Sequence, residues 1–320
     1  MEASVIIPAY NAARTLGQCL DAVLRQDYPR RGYEVIVVTD PSDDDTERIV
    51  RARRGVVHIK RTKREGVAVA RNEGWSRARG DTVVFLDADC VPERGWLREM
   101  LRPVEKGADA VQGVYAGSKG TVVSRYAQYE IELRYRRFER KGINSLATYS
   151  AAIRRAALRD MGGFDPAQKE AEDAELSYRL TKKGYVIAFN PRARVAHRHP
   201  QTLHKYLSQK FRRGYWGASL YSKHPGNLGK DTYKPPSLLF EIALAGVIPL
   251  LFIGWTLRVM SPFPFATAVL ALLLGTLPLA LYSLQKDPLV GLASPMISVL
   301  RTYAILLGVS MGIVKRLLRI

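Results

Sequence analysis

The stretch DTVVFLDADC, residues 81–90, joins an apolar run to two aspartates, Asp87 and Asp89. The apolar part is typical of a buried strand, so both carboxylates should emerge together where that strand ends. Two like charges this close raise each other's pKa unless a cation lies between them. The rest of the sequence must therefore indicate which cation would bind between these carboxylates and what its function would be.

Strand and helix patterns alternate through the first ninety residues. Apolar runs predict strands at 4–10, 33–40, 56–61 and 81–89, and helical spacing lies between them at 11–26, 43–54 and 66–80. This alternation predicts an α/β fold with a mostly parallel, Rossmann-like sheet that is covered on both faces. Ligands bind at the carboxyl ends of such strands. Tyr10, Asp40 and the pair Asp87 and Asp89 all fall there, which indicates a nucleotide site.

The C-terminal ninety residues are of a different character. Three apolar runs, at 238–257, 263–284 and 295–314, each approach the ~20 residues that a helix needs to cross a hydrocarbon core. They predict about three transmembrane helices. Arg301 lies in the third run and is expected to snorkel to the interface. The alternative, buried helices of a soluble domain, fits less well because these runs lack a polar face.

The chain carries 49 Lys and Arg against 30 Asp and Glu, a formal charge of +19. This excess suggests an anionic partner, which can be nucleic acid, lipid headgroups or a phosphorylated substrate. Its two cysteines are too few for a disulfide framework. No signal peptide is recognisable at the N-terminus, so the part before the apolar runs is expected to be cytoplasmic. Three spans would leave the basic tail 315–320 outside, against the positive-inside rule, so either the tail lies at the headgroups as a helix end or the third run is partly interfacial.

Amphipathic segments rich in aromatic and basic residues lie at 122–141 and 203–221. A helix of this composition just before a membrane span is typical of one that lies on the bilayer surface, although solvated helix faces are the alternative. The predicted domains are therefore 1–199 for the α/β part, 200–236 for an interfacial helix and linker, and 237–320 for the membrane part.

Six motifs in order resemble family-two glycosyltransferases, inverting enzymes of the GT-A fold. They are VIIPAYNAARTL (5–16), VVTDPSDDDT (37–46), GVAVARNEGWSRARGD (66–81), FLDADC (85–90), GGFDP (162–166) with EAEDAELSYRL (170–180), and QKFRRG (209–214). The last is similar to an element of the cellulose-synthase-like membrane subgroup. The chain also resembles archaeal dolichyl-phosphate-dependent mannosyltransferases.

The resemblance implies a role for each candidate residue. Asp87, Asp89 and His197 are expected to hold Mn2+ or Mg2+, with His199 as the alternative histidine. Asp173 is the candidate general base, and Glu172 is expected to orient the acceptor or the base. The nucleotide sugar is expected to contact a further set, which also includes Asp87: Pro8, Tyr10, Asp40, Arg71, Gln209, Arg212 and Arg213.

Simpler structural roles compete with each of these assignments. An Asp-x-Asp pair also forms strand-end turns, and Asp40 before Pro41 is typical of a turn. Acids such as Glu172 and Asp173 stabilise a helix N-terminus. Arg71 is expected to support the acidic loops rather than to face phosphate, and Arg212 can equally bind lipid headgroups.

The predicted function is a membrane glycosyltransferase that moves a hexose from a cytoplasmic nucleotide sugar to a lipid-linked acceptor. The resemblance implies a polyprenyl or dolichyl phosphate lipid and favours GDP-mannose as donor. The alternative is a processive polysaccharide synthase of the cellulose-synthase type. Arg213 stands where polymerising members have Trp, and three spans are few for a polymer channel. A nucleic-acid-binding membrane protein is disfavoured because no nucleic-acid module is recognisable.

Overall fold

The computed structural model describes residues 1–117, 120–235 and 237–318. Two compact units make up the chain. The first unit comprises Met1–Gly117 and Arg137–Arg198, and the second comprises Ser118–Arg136 and His199–Ile320. Residue 236, at the end of the predicted linker, and residues 319–320 of the basic tail lie outside the described residues.

The first unit contains one mixed, mostly parallel sheet. Its strands within the described residues are β1 (Ala3–Ala9), β2 (Tyr33–Thr39), β3 (Val56–Lys60), β4 (Thr82–Leu86), β5 (Cys90–Pro92), β6 (Ala110–Tyr115), β7 (Ser150–Arg154) and β8 (Ile187–His197). They lie in the order β3-β2-β1-β4-β7-β6-β8-β5. Strands β1 to β4 are parallel neighbours, whereas β7 runs antiparallel to both β4 and β6. The sheet therefore confirms the predicted mostly parallel α/β architecture.

Helices cover the sheet because their apolar residues recur at helical spacing. In the first helix, α1 (Leu16–Leu24), the buried face consists of Leu16, Cys19, Leu20 and Val23. The first-unit helices are α1 (Leu16–Leu24), α2 (Thr46–Arg51), α3 (Val67–Ser76), α4 (Trp96–Glu105), α6 (Arg155–Met161) and α7 (Glu172–Lys182). Helix α5 (Val122–Lys141) begins in the second unit and ends in the first.

The second unit is helical. It contains α8 (Leu203–Lys223), α9 (Leu238–Thr256), α10 (Phe263–Leu284) and α11 (Pro288–Leu317), together with most of α5. Helices α9, α10 and α11 are long and apolar enough to cross a membrane, by length and composition. Helix α11 begins seven residues before the predicted third span, because Asp287 caps its N-terminus and Pro288 suits the first helical position.

Glycines allow α8 and α11 to pack at very short range. A Cβ atom added at Gly308 would collide with the carbonyl oxygen of Phe211, and one at Gly214 would collide with that of Ile305. The backbones of the two helices therefore meet with no side chain between them. One face of α8 is thus occupied by α11, and its predicted place on a bilayer surface stays a prediction.

We expect Gly308→Ala to destabilise the protein by about 1–3 kcal/mol, because the added methyl group forces α8 and α11 apart. Gly246→Ala is the matched control, since a Cβ atom there would meet only Leu306 methyl groups at 4.0 Å. Thermal unfolding of both variants in detergent measures the difference. Equal unfolding temperatures for Gly308→Ala and the wild type would show that the helices do not pack in this way.

Arg301 differs from its predicted behaviour. Instead of reaching an interface, its side chain is 8% exposed and lies between two carboxylates. Nη1 lies 3.2 Å from Oε1 of Glu130, and Nη2 lies 2.7 Å from Oε2 of Glu241. Paired carboxylates inside the unit stabilise a charge that would otherwise have to extend to water.

Candidate functional site

Asp87 and Asp89 lie on the turn that joins β4 to β5. Strand β4 ends at Leu86, so the carboxylates follow it directly, as the apolar-to-acidic pattern predicts. Strand β5 pairs with the end of β8, which places Cys90 opposite His197. Nε2 of His197 consequently lies 3.2 Å from Oδ2 of Asp89. The structure thus brings together two of the three residues predicted to bind a metal ion and places Asp87 two positions away.

The two aspartates have different electrostatic environments. Burial raises the pKa of Asp87, although Arg71 opposes the shift. Burial also disfavours ionisation of Asp89, but the hydrogen bond and charge of His197 outweigh it and hold the pKa of Asp89 below its usual value. Asp89 is therefore the better anion of the pair.

These residues fit a divalent cation by their chemistry. Carboxylate oxygens suit Mg2+ and Mn2+, and an imidazole nitrogen is compatible with a transition metal. In the described part of the chain, no group of three or more His, Cys, Asp and Glu side chains lies close enough to hold a metal. Asp89 and His197, with Asp87 two positions away, are therefore the residues of this site that could hold such an ion.

Two stacked aromatic rings lie beside His197. The ring of Tyr115, the last residue of β6, lies 4.6 Å from the imidazole, and it stacks on Tyr149 at 3.7 Å. The backbone carbonyl of Tyr149 also accepts a hydrogen bond from the amide of Asp87 at 3.4 Å. Sequence reasoning missed both tyrosines, because only sheet pairing brings the ends of β6 and β8 together.

Arg71 connects the metal-binding candidates to the predicted catalytic-base segment. Its guanidinium donates to Asp87 at 2.9 Å and forms an ion pair with Glu172. The Arg71 side chain is 4% exposed, so this network is screened little by water. Burial raises the pKa of Glu172 to about 7, against the opposing effect of Arg71. Contacts of this kind match the predicted support of the acidic loops, and a direct contact of Arg71 with nucleotide stays a prediction.

We expect Arg71→Gln to destabilise the protein by about 3–5 kcal/mol, because it leaves Glu172 buried without a countercharge. The control is Arg48→Gln, since Arg48 pairs with Asp45 where both side chains are largely exposed. That change should alter stability by less than about 1 kcal/mol. Chemical denaturation of the full chain in detergent compares the two, and equal losses would contradict a special role for the Arg71 network.

Asp173 lies in the first turn of α7, next to Glu172. Its Oδ1 accepts a hydrogen bond from the Ala174 amide at 2.8 Å, and its Oδ2 accepts one from the Thr148 amide at 3.4 Å. Ala171, just before the helix, has a left-handed φ of 62°, which is unfavourable for a residue with a Cβ atom. Such strain is found at functional sites more often than elsewhere. The base segment is therefore held in a defined and partly strained conformation.

The Ala-Arg-Asn motif explains how this segment is positioned. Asn72 donates to the carbonyl of Phe164 at 2.8 Å and accepts from its amide at 2.9 Å. Gly163 has a φ of 78°, and a Cβ atom there would collide with the Asn72 amide and the Trp75 ring. The Ala-Arg-Asn motif thus contacts the base segment in two ways. Arg71 forms an ion pair with Glu172, and Asn72 forms hydrogen bonds with the backbone of Phe164.

The nucleotide-binding candidates Asp40 and Tyr10 lie at neighbouring strand ends. Asp40 is buried and paired with Arg61, and Arg61 also contacts Glu65 at 2.6 Å and Glu73 at 3.1 Å. The guanidinium of Arg64 lies 3.8 Å from the centre of the Tyr10 ring. Both arginines were missed by the sequence analysis. Arg61 follows β3 directly, so the strand-end rule that selected Asp40 could have found it.

The loops after β1 and β2 are joined by hydrogen bonds. The Asn11 side chain accepts from the Asp43 amide at 2.9 Å, and the Ala12 amide donates to Oγ1 of Thr46 at 2.8 Å. Pro8, near the end of β1, is half-buried. This linkage makes the predicted nucleotide loops one connected surface in the first unit.

Four further candidates belong to the second unit. Gln209, Arg212 and Arg213 lie on α8, where Gln209 is half-buried and both arginines are exposed. His199 is buried, and its Nε2 lies 2.8 Å from the side-chain oxygen of Gln128. His199 is thereby engaged within the second unit, whereas His197 lies beside Asp89 in the first. The structure thus favours His197 over His199 as the metal-binding candidate.

Comparison with known proteins gives matches to glycosyltransferases over much of this chain. The model of glycosyl transferase family 2 matches residues 4–162. Glycosyltransferase AglE of Haloferax volcanii is 31% identical over 195 residues, which cover 58% of this chain and 63% of that protein. The pre-mycofactocin glycosyltransferase of Mycobacterium tuberculosis is 32% identical over 236 residues, which cover 70% of this chain and 48% of that protein. The chain thus spans less than two thirds of the length of either relative.

A solved structure has a similar fold over nearly the whole chain. The mannosyltransferase PcManGT from Pyrobaculum calidifontis, in complex with GDP-Man and Mn2+, superposes with a TM-score of 0.66. The match covers 98% of this chain and 87% of that one at 23% sequence identity. At this identity the likeness establishes the shared fold.

Proposed function

Because this chain belongs to glycosyl transferase family 2, we propose that it transfers a hexose from a nucleotide sugar to a lipid-linked acceptor, with inversion at the sugar carbon. One observation carries this proposal. Arg71 bonds at once to Asp87, beside the candidate metal ligands, and to Glu172, beside the candidate base. One buried network thus connects a candidate metal ligand with the residue next to the candidate base.

The proposed donor is GDP-mannose, with UDP-glucose as the next candidate. GDP-mannose is supported by the mannosyltransferase of Pyrobaculum calidifontis, which has a similar fold and whose structure is a complex with GDP-Man and Mn2+. In this chain, we assign recognition of the base edge to Asp40, which follows β2 and is held in place by its ion pair with Arg61. The edge of a guanine or uracil ring carries complementary N–H and C=O groups. We assign Tyr10, an exposed ring that follows β1, to stacking on the base or ribose.

Mn2+ or Mg2+ is the proposed cofactor, held by Asp89 and His197 with Asp87 beside them. A bound divalent ion would neutralise charge that develops on the departing diphosphate. The chain's own contribution is to keep Asp89 ionised, through His197, and to anchor Asp87 through Arg71. Tyr115 and Tyr149 hold the imidazole in place.

Asp173 is the proposed general base that takes the proton of the acceptor hydroxyl as it attacks the sugar carbon. The amides of Thr148 and Ala174 orient its carboxylate. Glu172 is occupied by Arg71, so we assign it to positioning the base segment and not to contact with the acceptor.

The proposed acceptor is a glycan linked to polyprenyl or dolichyl phosphate, because a bundle of three apolar helices suits a lipid tail better than a polymer channel. We propose that α9, α10 and α11 cross the cell membrane and that the first unit faces the cytoplasm. The hydropathy of these helices and the basic segments before them support this arrangement.

A donor panel tests the proposal. Purified full-length protein with Mn2+ is incubated with GDP-mannose, UDP-glucose and other nucleotide sugars, with and without a polyprenyl-phosphate-linked sugar, and nucleoside diphosphate release is measured. We expect release that depends on both GDP-mannose and lipid, together with lipid-extractable sugar label. Absence of labelled lipid with every donor would refute transferase activity, and long polymeric products would favour a polysaccharide synthase.

A further inference from the structure

Most buried cations of the second unit are neutralised. Glu130 of α5 accepts from Lys210 at 2.7 Å and from Tyr206 at 3.0 Å, and it also pairs with Arg301. Arg301 pairs in addition with Glu241 of α9. Lys210 and Arg301 thus each have a carboxylate in contact.

Lys234 and Arg213 stand in contrast to this network. Among the described residues, no carboxylate lies within ion-pair distance of either side chain. Nζ of Lys234 lies 4.1 Å from the centre of the Tyr221 ring and 3.7 Å from the position that a Cβ atom would occupy on Gly217. Gly217 is one helical turn beyond Arg213 on α8, so the lysine lies above the same face as the arginine.

Without a bound anion, the positive charges of Lys234 and Arg213 are unfavourable for the protein. Burial lowers the pKa of Lys234 to about 8, Asp231 opposes the shift, and the positive charge of Arg213 adds to it. Asp231 is itself occupied, since it accepts a hydrogen bond from Tyr221 at 2.9 Å. A half-buried ammonium beside a second cation, with no counterion in contact in the described part of the chain, is stabilised when an external anion binds.

The surroundings indicate which anion this is. The turn of α8 that carries Arg213 is also the turn where Gly214 packs against the backbone of α11, a helix apolar enough to cross a membrane. An anion bound here lies beside the apolar helix of its own unit. An anion with an attached hydrocarbon chain fits such a place better than a freely soluble one does.

We propose that Arg213 and Lys234 bind the phosphate group of an isoprenoid phosphate lipid, with the planar guanidinium and the ammonium contacting different phosphate oxygens. This inference rests on the proposed lipid-linked acceptor, and it moves Arg213 from the donor to the lipid. Gln209 and Arg212 keep their predicted place with the nucleotide sugar.

The test measures binding of a fluorescent polyprenyl phosphate to the purified full chain in detergent. We expect Lys234→Gln and Arg213→Gln each to weaken binding by about 10- to 100-fold, as loss of a hydrogen bond to a charged group implies. Lys234→Arg should retain most of the affinity. The matched control is Lys205→Gln, an exposed lysine on the same helix, which should bind like the wild type.

Three further measurements define the site. A fluorescent polyprenol without phosphate should bind weakly and equally to all variants, and inorganic phosphate should compete only poorly. Affinity for a nucleoside diphosphate with Mn2+ should be unchanged in Lys234→Gln. Loss of nucleoside diphosphate binding with intact lipid binding would assign the site to the donor and overturn the inference, as would equal binding of polyprenol and polyprenyl phosphate.

The inference and the proposed function fail in different ways. If the variants lose lipid phosphate binding but the wild type transfers no sugar, the lipid site stands and the transferase proposal fails. If sugar transfer to the lipid is intact in Lys234→Gln and Arg213→Gln at every lipid concentration, the inference fails and the transferase proposal stands. An unchanged unfolding temperature of each variant ensures that either result reports binding and not misfolding.

Discussion

Asp89→Asn is expected to lower the rate of sugar transfer by about a thousandfold, because metal-assisted stabilisation of a leaving group contributes several kcal/mol to such reactions. The Asp89 carboxylate is 49% exposed and lies 3.2 Å from His197, so it is the accessible anion of the pair. An asparagine keeps the shape of the side chain and removes the charge. Transfer rate and Mn2+ affinity, the latter measured by paramagnetic resonance of free Mn2+, should fall together.

Asp81→Asn is the matched control for this experiment. Asp81 directly precedes β4, at the end opposite to Asp89, and its side chain is 85% exposed. Its replacement should leave both transfer and Mn2+ affinity unchanged. Turnover that persists in Asp89→Asn, or that persists in the wild type after chelation of divalent ions, would remove the electrostatic basis of the proposed mechanism.

Asp173→Asn is expected to lower kcat by about 10²- to 10⁴-fold and to leave the KM for the donor nearly unchanged. An amide cannot take the proton of an acceptor hydroxyl, although it can keep the hydrogen bond from the Thr148 amide. The fold of the segment should survive, because Asn72 and Arg71 hold it through other residues. Thermal unfolding should therefore match that of the wild type.

A suitable control is Asp160→Asn on α6, where the carboxylate pairs with Lys183 and Tyr185 on the surface. It should transfer sugar at the wild-type rate. A full rate in Asp173→Asn would mean that the attacking group is already ionised, as a lipid phosphate is, and would contradict the assignment of Asp173 as base.

The strand-end rule shows how far pattern reasoning reaches. Alternating apolar strands and amphipathic helices predict a mostly parallel sheet, and the rule then selects Asp40, Asp87 and Asp89. Arg61 follows the third strand and could have been selected in the same way. Tyr115 and Tyr149 could not have been selected in this way. Their strands lie in the order β7-β6-β8 in the sheet, which differs from their order along the chain, and this pairing depends on packing across the sheet.

The ion-pair partners of charged residues could not be predicted from the sequence. Arg301 was expected at an interface, yet it pairs with Glu130 and Glu241, which lie 171 and 60 residues away along the chain. The close contact between α8 and α11, which their glycines allow, is likewise not visible in the sequence, while the predicted place of α8 on a bilayer surface stays a prediction. Ion-pair partners at such separations leave no periodic trace, since an interaction depends on distance in space and not along the chain.

Periodicity and local charge by themselves determined the α/β class, the strand ends that carry Asp40, Asp87 and Asp89, and the three apolar helices, because these features depend on neighbours within a few residues. Only the tertiary structure decided that His197 faces Asp89, that Arg71 joins Asp87 to Glu172, and that the Lys234 ammonium lies beside the Tyr221 ring and Gly217 of α8. Each of these depends on elements that are distant in sequence and that packing brings within a few ångströms, where Coulomb and hydrogen-bond energies become large.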